Sequence, residues 1–369
     1  MKKLILHIGH GKTGTSYIQS MLALNADRLS EIFDYPYHPS FVKAKEGKIQ
    51  SGNGKVFLES ITKHGTLTDK HKVFSGEFLF YDLLGEFKDD FRTLCKSQEV
   101  HILLYSRNVF EFYASSWSQA IKGRKFHKKF PLFIDQSNSI YKKIEEWYYL
   151  SEKFGYKIHF RNYSLHKNNI SNVFWADLFG ILNCKAADFK PESAPSNIVN
   201  RSLTSLELEL IRSINYAKSD LGALISENLV NLHPSVPSEK PKVTDEVNNK
   251  LSEKFSDSIS HINSFVSASE ALSLGFPEIK NTHQELQKEF SNMQVKIIGN
   301  SISSYLKPLI QLENSIDELR NISLKIASNS PLDIADALLI MKLVQSIRPN
   351  GPVINKKISQ CEVLLNLSK

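Results

Sequence analysis

Leu4-Ile5-Leu6-His7-Ile8-Gly9-His10-Gly11-Lys12-Thr13-Gly14-Thr15-Ser16 is the stretch on which the rest of the chain turns. Leu4 to Ile8 is a short apolar run ended by glycine, the pattern of a strand buried on both faces. Gly9 to Gly14 reads as a turn. Thr15 to Leu24 reads as a helix with Tyr17, Ile18, Met21 and Leu22 on one face. A strand, a glycine-rich turn and a helix in this order make an anion cradle. Glycine lets the backbone turn tightly and aim N–H groups inward. The helix start adds unpaired amides and the positive end of its dipole. Lys12 supplies a full charge, and Thr13, Thr15 and Ser16 supply hydroxyls.

Two common nucleotide motifs fit this stretch poorly. Gly9-x-Gly11-x-x-Gly14 matches the dinucleotide fingerprint, which also wants an acidic residue roughly 20 positions on, after a second strand. Asp34 stands there by count, but no convincing strand precedes it. A triphosphate loop requires Lys-Ser/Thr after its last glycine. Here Thr15 follows Gly14, and the lysine is Lys12, inside the loop. No apolar strand ends in an aspartate suited to Mg²⁺.

Outward from this stretch, the pattern alternates. Lys72 to Ser75 is a second strand, ending at Ser75-Gly76-Glu77, with a helical stretch to about Ser97. Val100 to Tyr105 is a third strand and runs into Ser106-Arg107-Asn108, then a helix from Val109 to about Ile121. Residues 139–154 form a helix, Lys157 to Phe160 a fourth strand, and Asn169 to Leu182 another helix. Residues 34–70 read as irregular. Strands alternating with helices predict an α/β fold with a parallel sheet flanked by helices. Arg107 falls at the carboxyl end of a parallel strand, where such sheets bind ligands. Its guanidinium can fork onto two phosphate oxygens, and Ser115 follows two helical turns later.

The loop Ile8 to Gln19 resembles the 5'-phosphosulfate loop of the sulfotransferases that use PAPS (3'-phosphoadenosine 5'-phosphosulfate). Arg107 to Gln119, with serine eight residues after arginine, is similar to that family's 3'-phosphate motif. Val109 stands where the family often has proline, and Glu111 where it often has aspartate. Val73-Phe74-Ser75-Gly76-Glu77 and Asn200-Arg201-Ser202-Leu203 resemble segments of bacterial carbohydrate sulfotransferases. The resemblance implies a P-loop-like parallel sheet with PAPS across the strand ends, and transfer of a sulfuryl group to an acceptor hydroxyl with release of PAP. Gly11, Lys12, Thr13, Gly14, Thr15, Ser16, Arg107, Ser115, Arg201 and Ser202 are then the expected cofactor contacts. Lys12 is the expected partner of the leaving phosphate and Glu77 the base, with His10 as the alternative base. No metal is required. The alternatives are a Mg²⁺-dependent kinase or NTPase and a non-catalytic PAP-binding scaffold.

A chain of 369 residues with 41% apolar side chains can bury one large core or two modest ones. The expected division is an α/β domain over residues 1–233 and a mostly helical extension over 245–369, joined by the Pro- and Lys-rich segment Pro234 to Val243. Thr204-x-x-Glu207 is a capping box, and Ser330-Pro331 opens a helix with Ile334, Leu338, Met341 and Val344 on one face. The formal charge of +7 suits a phosphate- or sulfate-bearing partner. No nucleic-acid partner is expected. The stretch Lys122 to Lys129 would suit an anionic sugar chain, which leans the acceptor toward a cell-surface saccharide or glycolipid. Basic patches would suit peripheral membrane contact, and the C-terminal helices a homodimer contact or a cover for the acceptor cleft. Cys95, Cys184 and Cys361 are too few and too scattered for a disulfide framework or a metal site. With no apolar run of about 20 residues, the expected location is the cytoplasm.

Overall fold

The computed structural model describes residues 2–47, 52–63, 70–184, 191–192, 201–217, 220–236, 239–276 and 289–326. It also describes 334, 337–338, 340–342, 344–345 and 351–367. The chain divides into two compact units, Met1–Phe290 and Ser291–Lys369.

The first unit opens with strand β1 (Lys3–Gly9) and helix α1 (Thr15–Asn25). Strand β2 (Phe33–Asp34), α2 (Phe41–Lys45) and α3 (Gly54–Thr62) follow. Next come β3 (His71–Ser75), α4 (Leu79–Asp82), α5 (Lys88–Ser97) and β4 (Glu99–Ser106). The chain continues through α6 (Val109–Arg124), α7 (Phe130–Gln136) and α8 (Tyr141–Phe154) to β5 (Lys157–Asn162). It ends in α9 (Tyr163–His166), α10 (Ile170–Leu182), α11 (Ser205–Tyr216), α12 (Leu221–Leu232) and α13 (Asp245–Asn263).

The five strands form one parallel sheet in the order β2-β3-β1-β4-β5. β1 is central because it is apolar on both faces. Ile5, Val73 and Leu103 face α1 and α10 with Ile18, Leu22, Phe174 and Leu178. Leu4, Leu6, Phe74 and Ile102 point the other way and are equally buried. The four strands read from the sequence are present. The fifth, β2, straddles the start of the stretch expected to be irregular, and two residues are too short to show a period. Asp34 therefore does sit in a strand, but β3 separates that strand from β1. This is not the neighbour that a dinucleotide fold requires.

β3 and β4 flank β1, so the chain leaves β1 toward opposite edges of the sheet. The carboxyl ends of these three strands carry the loop after Gly9, Glu77 and Arg107. The register fixes them at one edge, with His7 opposite Ser75 and Gly9 opposite Tyr105.

The helix α13, expected in a C-terminal extension, packs on α6, α7 and α8 within the first unit. Its Phe255 stacks on Tyr113 at 4.7 Å, and Lys254 donates to the carbonyls of Ile134, Asp135 and Ser137 at the end of α7. The second unit holds α14 (Asn292–Ile326), which contains Pro308, and α15 (Pro352–Leu367). Met341 and Val344 are buried against Ile354, Ile358 and Cys361, with Ile334 and Leu338 beside them, so the expected apolar face is present. Asn200, Ser330-Pro331 and Arg348 to Asn350 lie outside the described residues. No described helix is long and apolar enough to cross a membrane.

The capping box forms at α11. Thr204 Oγ1 accepts from the Glu207 amide at 3.2 Å, and Glu207 accepts from the Thr204 amide at 2.8 Å. The same carboxylate takes a bidentate pair from Arg201, at 2.7 and 2.8 Å, with both side chains buried. Breaking a buried pair from one side leaves an uncompensated charge, whereas removing a cap loses one hydrogen bond. Glu207→Ala should therefore destabilise the protein by about 3–5 kcal/mol. Thr204→Ala should cost about 1 kcal/mol. Urea unfolding of the two variants checks both.

Candidate active site

The loop between β1 and α1 is held by contacts that only its own sequence allows. A side chain on Gly9 would begin 2.4 Å from Thr13 Oγ1. Thr13 instead uses that oxygen to donate to the His10 carbonyl at 2.9 Å. Lys12 and Gly14 both have a φ of +76°, the left-handed region. Glycine adopts it freely, whereas lysine does so at a cost of about 1–2 kcal/mol. Strain of this kind at a non-glycine residue marks a position held for a purpose. Gly14 starts α1, which has no side-chain cap and no acidic residue in its first turn. The amides and dipole at that end stay available to an anion. Lys12 is exposed at the loop tip, Ser16 is half-buried, and Thr13 and Thr15 are buried beneath it.

His10 does not serve as a base. Its ring is fully buried, with Nε2 at 3.1 Å from Ser106 Oγ and Nδ1 at 3.0 Å from the Gly11 carbonyl. A carbonyl can only accept, so Nδ1 carries the proton and Nε2 accepts from Ser106. Burial pushes the imidazole pKa down to about 3, against the Gly11 bond that raises it. The ring is neutral, and both nitrogens are engaged. It ties the loop to β4. His7 is a core residue, as its place in a strand implies, with Nδ1 at 2.8 Å from Ser75 Oγ.

Glu77, just past β3, projects toward the loop. Its Oε2 lies 3.6 Å from where a side chain on Gly11 would begin, an ordinary contact distance, so the carboxylate sits against the loop. Crowding by the surrounding walls raises its pKa, and the charge of Lys12 opposes the rise.

Arg107, just past β4, donates from Nη1 to the Lys12 carbonyl at 3.3 Å and lies 5.5 Å from the centroid of the Tyr163 ring. That ring covers Gly14, where an added side chain would begin 2.7 Å from Tyr163 Cε2. Glu111 orients Arg107 through Nε at 3.5 Å. Glu111 also accepts from Ser164 at 2.6 Å and from Lys240, with Lys167 at 3.5 Å. Burial alone would raise the Glu111 pKa. The Lys240 and Ser164 hydrogen bonds, with the charges of Lys240 and Arg107, outweigh it and hold the group at about 2. Ser115 lies half-buried on α6, and its hydroxyl makes no hydrogen bond among the described residues.

Arg201 is not available to a ligand. Besides its two bonds to Glu207, it donates to the carbonyls of His233, Ser202 and Leu229. All five of its N–H groups are engaged. Ser202 contributes its carbonyl to that network. The sequence signs missed Tyr163, Ser164, Lys167 and Lys240. Lys240 lies in the Pro- and Lys-rich segment, where no periodicity indicates what a side chain will reach.

A cavity of about 650 Å³ opens beside the loop, with Gly11, Lys12 and Glu77 at one end and α6, α7 and the residues after β3 as walls. The stretch Lys122 to Lys129 does not line it. Asn215 donates to the Phe126 carbonyl, Arg212 to the His127 carbonyl, Trp117 to the Lys128 carbonyl, and Lys125 pairs with Asp220. These contacts fasten the stretch to α11 and its surroundings.

No protein-family model and no curated protein matches the chain.

The loop geometry is testable by substitution. Gly14→Ala puts a side chain both in a left-handed conformation and against Tyr163. Where the conformation is compatible, Gly→Ala stabilises by up to about 1 kcal/mol; here it should destabilise the fold by more than that amount. The melting temperature should drop by at least 2–4 °C, roughly, and calorimetry should show weakened phosphate binding.

Proposed function

We propose that the chain is a PAPS-dependent sulfotransferase whose first unit carries the whole transfer site. The observation that carries this reading is the contact of Arg107 Nη1 with the Lys12 carbonyl, which joins two anion-binding segments 95 positions apart. On this reading the Gly9–Ser16 turn is a P-loop-like cradle for the 5'-phosphosulfate, formed by the loop amides, Lys12, Thr15 and Ser16. Arg107 and Ser115 take the 3'-phosphate, and Glu111 sets the guanidinium plane. Arg201, Ser202 and His10 drop out of the contact set. The cytoplasm, where thiols stay reduced, suits three free cysteines.

The residues then divide the chemistry as follows. The acceptor oxygen forms a bond to sulfur as the bond from sulfur to the 5'-phosphate oxygen breaks. Glu77 takes the hydroxyl proton. The electron pair stays on the departing phosphate oxygen, and Lys12 and the loop amides meet the charge that develops there.

Two experiments test the reading. In calorimetry without added metal, PAP should bind at least about tenfold tighter than ADP, roughly 1.4 kcal/mol. Arg107→Ala should erase that preference. Equal binding of ADP or ATP, and only with Mg²⁺, overturns the reading in favour of a kinase or NTPase.

Glu77→Gln should lower kcat by roughly 10²–10⁴ without weakening PAP binding, since it removes a negative charge beside the anion site. The base acts ionised. In the unmodified protein, kcat/KM should therefore fall as the pH drops through a limb above the ordinary glutamate value, because crowding raises the Glu77 pKa. A profile flat through that range rules out Glu77 as the base.

A further inference from the structure

Taking the sulfotransferase reading as its premise, we infer that the acceptor is a neutral, ring-bearing hydroxyl compound, and not an anionic sugar chain. The inference rests on the walls of the cavity at the transfer end of the site.

The lining carries one cation and one anion, Lys12 and Glu77, side by side at that end. An acceptor with its own carboxylate or sulfate would bring a second negative charge beside Glu77. No further cation lines the described walls to meet it. Lys254, beyond the wall, donates its ammonium protons to three carbonyls at the end of α7. Lys250 is paired with Asp135. An unpaired charge in a half-enclosed apolar site is unfavourable.

The walls are rings. Phe112 and Tyr113 come from α6, Phe133 from α7, and Phe78 and Tyr81 from the segment after β3. Two of them are locked in place. Phe112 packs edge-on against His10 at 4.6 Å. Tyr113 is stacked on Phe255, and its hydroxyl donates to the Asn138 carbonyl at 3.0 Å. Fixed aromatic faces suit a flat ring or the C–H face of a sugar. Ser116 and Gln119 lie one helical turn apart on α6 and also face the cavity. Their hydroxyl and amide donate to and accept from neutral hydroxyls without demanding a charge. A volume of about 650 Å³ is the size of a small-molecule site.

The test uses the full-length protein, labelled PAPS and three acceptors: 2-naphthol, phenyl β-D-glucoside and phenyl β-D-glucuronide. The two glycosides differ in one carboxylate. The glucuronide should show a kcat/KM at least about tenfold below that of the better neutral acceptor. Gln119→Lys, at an exposed position, should close most of the gap between the two glycosides. A lead for 2-naphthol identifies an aryl acceptor, and a lead for the glucoside a neutral saccharide. Either supports the inference. A glucuronide that reacts as well as the glucoside overturns it. So does a glycoside gap unmoved in Gln119→Lys, or a silent panel in a protein that prefers PAP to ADP. A protein with no such preference fails the sulfotransferase reading itself, and the acceptor inference falls with it.

Discussion

The parallel pairing of β1 with β4 is the constraint on which the site depends. It places Gly9 opposite Tyr105, so the loop after one strand and the arginine after the other emerge side by side. Everything that positions charge follows from that register. His10 can reach Ser106 only because the next residue on each strand is also level. Arg107 can reach the Lys12 carbonyl only because the loop folds back over the end of β4. A slip of one residue would exchange the two buried faces of β1, mismatching each with its packing partners, and would move the two segments apart. The hydrophobic burial that fixes the register is thus also what assembles the cradle.

A second layer keeps Arg107 aimed. Glu111 sits one helical turn beyond it and would be unfavourable as a buried carboxylate on its own. Ser164 from α9 and Lys240 from the segment before α13 make it tolerable. The carboxylate consequently links two distant parts of the chain to one guanidinium. An aspartate, one methylene shorter, would need a closer approach of these partners. The cation that balances Glu111 comes from the segment that the sequence suggested was only a linker.

How much was legible depends on whether a signal was local. β1 and β4 could be read because burial on both faces leaves an uninterrupted apolar run. The capping box could be read because its two residues are three apart and each bonds the other's backbone. β2 could not, since two residues carry no period. Arg201 was misread for an instructive reason. A guanidinium beside a serine and ahead of a helix looks ready for phosphate, yet the glutamate that caps that helix is also its ion partner. Both features had been seen in the sequence, and only the fold shows that they share one carboxylate. His10 was misread because a loop sequence does not say which side chains turn inward.

The charge of Lys12 is felt at Glu77, and on the proposed reading that bears on the order of events. In the empty site two influences oppose each other at the carboxylate. Crowding favours the protonated form, and the Lys12 charge favours the ionised one. An anion seated on Lys12 cancels much of that charge as felt by Glu77 and adds its own negative field. Both changes raise the carboxyl pKa. On the proposed reading, Glu77 would therefore be a weaker base before the phosphosulfate arrives and a stronger one after. A base within reach of a donor that water could attack is safest when it gains strength only once the site is filled. The aromatic walls act in the same direction, because a ring seated against Phe112 and Tyr113 excludes the water that would otherwise take the acceptor's place.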